Sequence, residues 1–351
     1  MSQKSFKEFF LENILDFLWR QWSTLGIAGG ARTEDVWVID PEALLVFSLE
    51  MARYEPRLFD EILDWLVVNG KWIDIQRLRG IIKTKNEGTQ RLTRAVARYT
   101  SGEAKTYQRK WLALAQINEA DSTAKEEILF KTKDGKSYPK PSEVFSVFHN
   151  YGFLRENFSL RRMSKSVPVT AGSTIRFLLR SLFGIGSRSE CILYLLTHEA
   201  GHPAEVAHAV GISVRGIQDA LIELAESGLV LTRIKGKRKI EYWLSQKRWW
   251  EFLSAMSFED MKIPVWLDWI SLYSALMSVW EVLQEIEGTE SAYMRSSKLR
   301  EAMETISIEF SKSRLDLPPI PGSSIRPENY EEEFEGFITK VLGRGEVRNR
   351  K

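Results

Sequence analysis

A short turn between two helical stretches constrains the fold of this chain more than any other feature. Ala204–Val210 is followed by Gly211-Ile-Ser213 and then by the longer stretch Val214–Ser227. Gly211 accommodates the positive φ that ends a helix sharply, and Ser213 is a residue type that caps the next helix. Two helices joined by so few residues must cross steeply, so the segment predicts a helix-turn-helix.

The apolar positions of this segment fit the same prediction. Apolar and small residues recur at three- and four-residue spacing in both stretches, which predicts a shared inner face. The positions expected to face inward are Val206, Ala207, Val210, Ile212, Ile217, Ala220, Leu221 and Leu224. A further helix, Arg188–His198, precedes them and supplies more apolar residues to the core.

A basic β-hairpin is predicted directly after these helices. Leu229–Ile234 alternates as a strand does, Lys235–Arg238 forms the turn, and Lys239–Leu244 returns the chain. Four of the five residues from 235 to 239 are Lys or Arg, around one glycine. A cationic tip of this kind suits phosphate contact, because each neutralised phosphate releases condensed counterions.

Three helices followed by a basic hairpin resemble the winged helix-turn-helix transcriptional regulators of the ArsR/MarR superfamily. The resemblance is confined to residues 187–245, and it implies a repressor or autoregulator that binds double-stranded DNA as a homodimer. It also implies that the recognition helix and the wing contact the DNA. Carried onto this chain, the DNA-binding residues are Ser213, Val214, Arg215, Gln218, Asp219, Lys235, Lys237, Arg238 and Lys239.

One of these residues departs from the family pattern. Asp219 stands where such regulators often have a polar or basic side chain. Three roles stay open for it: it accepts a hydrogen bond from a cytosine amino group, it pairs with Arg215, or it disfavours phosphate.

The arrangement also resembles regulators that are encoded beside nucleotidyltransferase-type toxins in prokaryotic operons. This makes the product of a neighbouring gene a second expected partner. The alternative function is a protein-interaction module, such as an antitoxin or adaptor, in which the winged helix is a scaffold.

We expect a mainly α-helical fold for the 351 residues: a central winged helix-turn-helix domain, with three helices plus a β-hairpin wing, flanked by helical N- and C-terminal domains. The expected segments are a helical N-terminal domain at 1–117, a linker or ribbon with an aromatic connecting segment at 118–170, the DNA-binding domain at 171–250 and a helical C-terminal region at 251–351. In the first of these, Asp40 followed by Pro41 predicts the start of a helix.

Charge is distributed unevenly along the chain. Residues 77–110 hold ten Lys or Arg against two Glu, a net charge of +8, whereas residues 250–351 hold twelve against eighteen Asp or Glu, a net charge of −6. We expect helices near 74–83 and 89–115 to expose most of the first basic segment. Residues 71–100 are alternatively a second, degenerate helix-turn-helix.

Composition and motifs argue against other classes of protein. Cys191 is the single cysteine, which excludes an intramolecular disulfide and fits a cytoplasmic protein. Residues 263–283 are apolar but interrupted by Pro264, Asp268 and Glu281, so we expect a buried or dimer-forming helix at about 265–286 and no membrane association.

Catalytic and metal-binding motifs are missing from the sequence. Gly26–Gly30 lacks the preceding strand and the lysine of a phosphate-binding loop, and no Ser-His-Asp order is present. Glycine and proline interrupt any helix that could align His198 with His202, so we do not expect these two, His208 and Cys191 to bind a metal. The prediction is a protein that is not an enzyme and needs no cofactor.

Overall fold

A computed structural model describes residues 5–29, 37–116, 125–236, 239–254, 257–260, 262–322 and 325–344. The described chain is mainly helical and has only small sheets, as expected. The helices are α1 (Phe6–Thr24), α2 (Pro41–Met51), α3 (Pro56–Asn69), α4 (Ile75–Ile82), α5 (Glu87–Glu103), α6 (Gln108–Leu112), α7 (Ser146–His149), α8 (Ile175–Phe183), α9 (Ser187–Thr197), α10 (Pro203–Val210), α11 (Val214–Glu226), α12 (Gln246–Leu253), α13 (Trp269–Ile286), α14 (Ala292–Lys312) and α15 (Pro327–Arg344).

Four short strands form two small sheets. β1 (Glu127–Ile128) pairs in parallel with β2 (Phe153–Leu154), and β3 (Leu231–Lys235) pairs antiparallel with β4 (Lys239–Trp243). Within the described ranges, no helix is both long enough and apolar enough to cross a membrane.

The chain divides into two compact units. Unit 1 comprises Met1–Trp19, Thr132–Lys136 and Leu267–Lys351, and unit 2 comprises Arg20–Lys131 and Ser137–Trp266. The prediction of four domains states that each segment folds by itself. The division into two units does not address that, so the four domains stay a prediction.

Unit 1 is built around α13, α14 and α15. Asp268 caps α13 by accepting from Ser271 N–H at 3.1 Å, so this helix begins later than the predicted residue 265. Phe10 stacks on Trp280 with ring centroids 6.3 Å apart, and both side chains are buried. The apolar stretch around Trp280 is therefore an internal helix of this unit.

Unit 2 contains α2 to α12 and both sheets. The predicted start of α2 is confirmed: Asp40 Oδ1 accepts from Ala43 N–H at 3.1 Å, and Pro41 occupies the first turn. The predicted helix at 89–115 is wrong in its extent, because α5 ends at Glu103 and a short 3-10 turn, Lys105–Tyr107, separates it from α6.

The first basic segment is also less exposed than expected. Arg77, Arg91 and Arg94 are buried, and Arg91 forms an ion pair with Glu127 at 3.0 Å. Among the cations of this segment, the exposed ones are Lys83, Arg98, Lys105 and Arg109. Part of the charge counted along the sequence thus stabilises the interior of unit 2.

Candidate nucleic-acid interface

Residues 187–243, here named the helix–hairpin segment, contain α9, α10, α11, β3 and β4. A backbone bridge joins them: Gly201 and Tyr242 exchange two N–H to carbonyl hydrogen bonds of 2.9 Å each. This bridge adds the loop between α9 and α10 to the edge of β4, so the hairpin is attached to the helices through its second strand.

The turn between α10 and α11 depends on one glycine. Gly211 has φ of +69° and ψ of +34°, the left-handed conformation, and its N–H donates to Ala207 O at 3.0 Å. A side chain at this position would be strained, which is the physical reason for glycine there. Ser213 then caps α11, because its Oγ accepts from Gly216 N–H at 3.3 Å.

The inner faces of the two helices pack into one core, as predicted. Seven of the eight residues expected to face inward are buried, and Ile212, in the turn, is half-buried. The buried ones are Val206, Ala207, Val210, Ile217, Ala220, Leu221 and Leu224. Residues from α8, α9 and the hairpin, including Leu179, Ile192, Leu195 and Tyr242, complete this core.

The outer face of α11 begins with exposed polar side chains. All five of the helix residues chosen from the sequence lie on this face and are exposed: Ser213, Val214, Arg215, Gln218 and Asp219. The Arg215 side chain is 93% exposed, and its Nε lies 4.0 Å from Asp219 Oδ2. Of the three roles left open for Asp219, the structure shows one, the pairing with Arg215.

Acidic residues recur along the rest of this outer face, which also exposes Ile222. Asp219, Glu223 and Glu226 are exposed along α11, and Glu223 pairs with Arg188 at 2.6 Å. Positive charge on α11 is thus limited to its N-terminal end, where Arg215 lies.

The turn of the hairpin is flanked by two lysines. Lys235 pairs with Lys239 across the strands, and Gly236 adopts a positive φ of +62° in the turn. Lys237, Arg238 and the side chain of Lys235 lie outside the described residues.

Nearer the helices, acids neutralise the cations of the hairpin. Lys239 Nζ lies 3.0 Å from Glu205 Oε1, and the hydrogen bond from Lys239 lowers the pKa of the Glu205 carboxyl. Arg233 contacts both Glu199 and Glu241 at 3.0 Å. The pairs of Lys239 with Glu205 and of Arg233 with Glu199 are exposed, so a competing anion such as phosphate can replace these two carboxylates at little cost.

Two apolar residues of the hairpin were missed by the sequence reasoning. Ile234 and Ile240 are cross-strand partners, on the same side of the hairpin as Thr232 and the buried Tyr242. Ile234 is 78% exposed because the hairpin extends beyond the core at this point. The alternating strand pattern places both isoleucines on one face of the hairpin. Their exposure depends on how far the hairpin extends beyond the core.

A buried group of six charges lies at the base of the helix–hairpin segment, and nothing in the sequence singled it out. Its members, here named the ion cluster, are Asp40, Glu42, Arg77, Arg176, Arg180 and Glu190. None of the six is more than 4% exposed. Three positive and three negative side chains from α4, α8, α9 and the start of α2 therefore balance one another.

Short ion pairs join the ion cluster. Arg180 contacts Glu42 and Glu190 at 2.7 Å each, and Arg77 contacts Glu42 at 2.7 Å. Burial by itself would raise the pKa of Asp40, but the charges of Arg176 and Arg77 outweigh it and hold that pKa far below its usual range. Arg77 Nε also donates to Val210 O at 2.5 Å, which attaches α4 to the last residue of α10.

Two of the histidines, His198 and His202, have structural contacts, and the cysteine is buried. His202 caps α10, with Nδ1 accepting from Ala204 N–H at 3.3 Å, and His198 stacks on Tyr194 at 3.8 Å. Burial raises the pKa of the Cys191 thiol to about 12. Within the described part of the chain, no three His, Cys, Asp or Glu side chains are grouped so that they could hold a metal ion.

No family model, curated protein or solved structure matches this chain. Its function therefore has to be argued from the geometry of the helix–hairpin segment.

Proposed function

We propose that the helix–hairpin segment is a winged helix-turn-helix domain and that the protein is a DNA-binding transcriptional regulator. The observation that carries the proposal is the N-terminal end of α11. There the left-handed Gly211 turn and the Ser213 cap precede an exposed face with a 93% exposed arginine. In helix-turn-helix proteins this end of the second helix enters the major groove.

The exposed polar residues at the start of α11 have side chains that suit parts of the DNA. Arg215 and Gln218 are long side chains that can contact base edges, arginine preferring guanine and glutamine preferring adenine. Ser213 lies at the helix start, where backbone N–H groups and the helix dipole favour a phosphate. Asp219 can accept from a cytosine amino group once Arg215 turns towards a base.

The hairpin would serve as the wing. Lys235, Lys237, Arg238 and Lys239 concentrate positive charge at and beside its turn, and phosphates attract such charge whatever the base sequence. The exposed pair Ile234 and Ile240 supplies apolar surface next to these cations. Apolar side chains of this kind pack against sugars and base edges in a groove.

We propose that the regulator acts in the cytoplasm, as a homodimer on a near-palindromic site, and that it represses genes or its own operon. It uses no cofactor and catalyses no reaction under this proposal.

Fluorescence anisotropy with the full chain tests the function. The protein is titrated into labelled duplex from upstream of its own gene and into a scrambled duplex, each over a series of salt concentrations. We expect tighter binding to the upstream duplex, with affinity that falls steeply as salt rises. Equal weak binding to both duplexes would contradict sequence-specific regulation, and no binding to either would contradict DNA binding altogether.

A second function, a protein-interaction module such as an antitoxin or adaptor, is favoured by apolar surface beside the hairpin. Trp249 packs against Phe183 and Phe252, with ring centroids 5.9 Å and 6.2 Å apart, and Phe252 is 69% exposed. Leu182 and Leu229 are also exposed, at 50% and 43%. Contiguous exposed apolar residues of this kind mark protein contacts.

Coexpression separates the two functions. Under the alternative, the product of the neighbouring gene copurifies with this protein, and Phe252→Asp abolishes the complex while the protein itself has no affinity for DNA. Under the regulator proposal, Phe252→Asp leaves the affinity for the upstream duplex unchanged.

A further inference from the structure

The structure places α4 against the turn of the helix–hairpin segment, although more than a hundred residues separate them in the chain. Arg77 Nε donates to Val210 O at 2.5 Å. One turn further along α4, a Cβ built on Gly80 would lie 3.9 Å from Gly211 O. This part of α4 therefore lies alongside the end of α10, with Arg77 next to Val210 and Gly80 next to Gly211.

Lys83 comes next along α4. It is the C-cap residue with helical φ and ψ of −58° and −25°, so it continues the geometry of the helix. Its Cα lies about 4.5 Å further along the axis than that of Gly80, at 1.5 Å per residue. At 100° per residue, Lys83 lies 60° around the helix from Gly80, on the adjoining exposed stripe.

The Lys83 ammonium group is available for a ligand. The residue is exposed, and its side chain makes no ion pair with any residue that the structure describes. By contrast, Arg79 on the same helix donates to Ala113 O at 2.6 Å, and Arg77 is committed to the ion cluster. Glu87 places one negative charge at the start of α5, against the two positive charges of Lys83 and Lys85.

We propose that Lys83 extends the DNA-binding surface by contacting a backbone phosphate beside the one proposed at Ser213, next to the Gly211 turn. The inference rests on the proposed DNA-binding function. Lysine is suited to this contact because it is a flexible point charge that needs no fixed geometry. The ion cluster keeps α4 and α10 in register, so the lysine and the turn face the DNA as one surface.

The contact predicts a definite change in salt dependence. The logarithm of affinity falls by about 0.9 per phosphate for each unit in the logarithm of salt, so one contact accounts for about a 3.5-fold loss of affinity between 50 and 200 mM salt. We expect Lys83→Gln to weaken binding to upstream and scrambled duplexes alike, and to reduce the total loss over this salt range by about 3.5-fold.

Lys105→Gln is the matched control. Lys105 is also an exposed lysine of unit 2, but it follows the far end of α5, a helix of 17 residues and therefore about 25 Å long. The experiment is fluorescence anisotropy of the full chain and both variants on the two duplexes at several salt concentrations, with thermal unfolding of each variant as a check of folding.

Three outcomes are distinguishable. A shallower salt dependence for Lys83→Gln, with Lys105→Gln like the unmodified chain, supports the inference. Identical behaviour of the two variants, in a protein that does bind DNA, overturns the inference and leaves the proposed function standing. If the unmodified chain binds neither duplex, the proposed function and this inference both fail.

Discussion

Arginine has opposite roles on α11 and in the ion cluster. The Arg215 side chain is 93% exposed and has one partner, Asp219, at 4.0 Å. The Arg77 side chain is 1% exposed and bonds to Asp40, Glu42 and the carbonyl of Val210. An exposed pair is worth little and exchanges partners readily, whereas a buried charge cannot lose its partner without a large penalty.

The comparison teaches which cations can serve a ligand. A charge whose partners are all internal is part of the architecture, and replacing it changes stability. A charge that faces solvent contributes little to stability, so it is free to bind a ligand and can be replaced without unfolding the protein. Each of the following experiments tests this difference between buried and exposed cations.

The largest effect is expected for Arg77→Met. The substitution leaves Asp40 and Glu42 buried with one positive partner fewer each and removes the bond to Val210 O, so the free energy of unfolding should fall by about 3–5 kcal/mol. Urea unfolding followed by circular dichroism measures it. Arg98→Met, at an exposed position of α5, is the control and should stay within about 0.5 kcal/mol of the unmodified chain. A loss below about 1 kcal/mol for Arg77→Met would show that the ion cluster is not structural.

The second effect is a loss of stability in acid. The pKa values of Asp40 and Glu42 are held below their ordinary values in the folded protein, because Arg176, Arg180 and Arg77 outweigh the effect of burial. Their contribution is therefore complete above the unfolded pKa values, about 4, and is lost as pH falls below them. Urea midpoints measured from pH 7 to pH 3 should stay level to about pH 5 and then drop. A protein equally stable at pH 6 and pH 3 would contradict the depressed pKa values.

The third effect concerns binding. Replacing Lys235, Lys237 and Arg238 together by Ala removes three phosphate contacts from the proposed wing, so the salt slope should become shallower by about 2.7. Anisotropy titrations on both duplexes measure it. The control is Ala at the exposed Arg98, Lys105 and Arg109, which removes the same charge elsewhere in unit 2. Equal changes in the two triple variants would mean that overall charge, and not the wing, governs binding.

The smallest effect is expected for Gln218→Ala. Loss of a base contact should change the preference between operator variants by about 1–3 kcal/mol at one base pair. Competition titrations with duplexes substituted one base pair at a time measure this preference. Uniform weakening on all duplexes would instead indicate that Gln218 contacts the DNA backbone, as proposed for the wing cations.

Local signals made much of the fold predictable. Asp40 before Pro41 and Ser213 after Gly211 each accept a bond from a backbone N–H three positions further along, so these two helix starts could be found from sequence. The end of α5 at Glu103 was missed.

Only the α11 part of the candidate site could be predicted from the sequence. The exposed face of α11 follows from its 3.6-residue period, which separates Ile217 and Leu221 from Arg215 and Gln218. Exposure of Ile234 and burial of Arg77 do not follow from any local pattern, because each depends on where the core ends and on what packs there.

The sequence by itself determined the order of the elements, the Gly211 turn and the alternation of inner and outer residues in α10 and α11. These depend on backbone conformations and periodicities that a few neighbouring residues dictate. Only the tertiary structure decided that Arg77 and Arg180 belong to one neutral buried cluster and that α4 lies beside Gly211. Charge pairing in a low-dielectric interior depends on contacts between residues far apart in the chain, and such contacts exist only once the helices have packed.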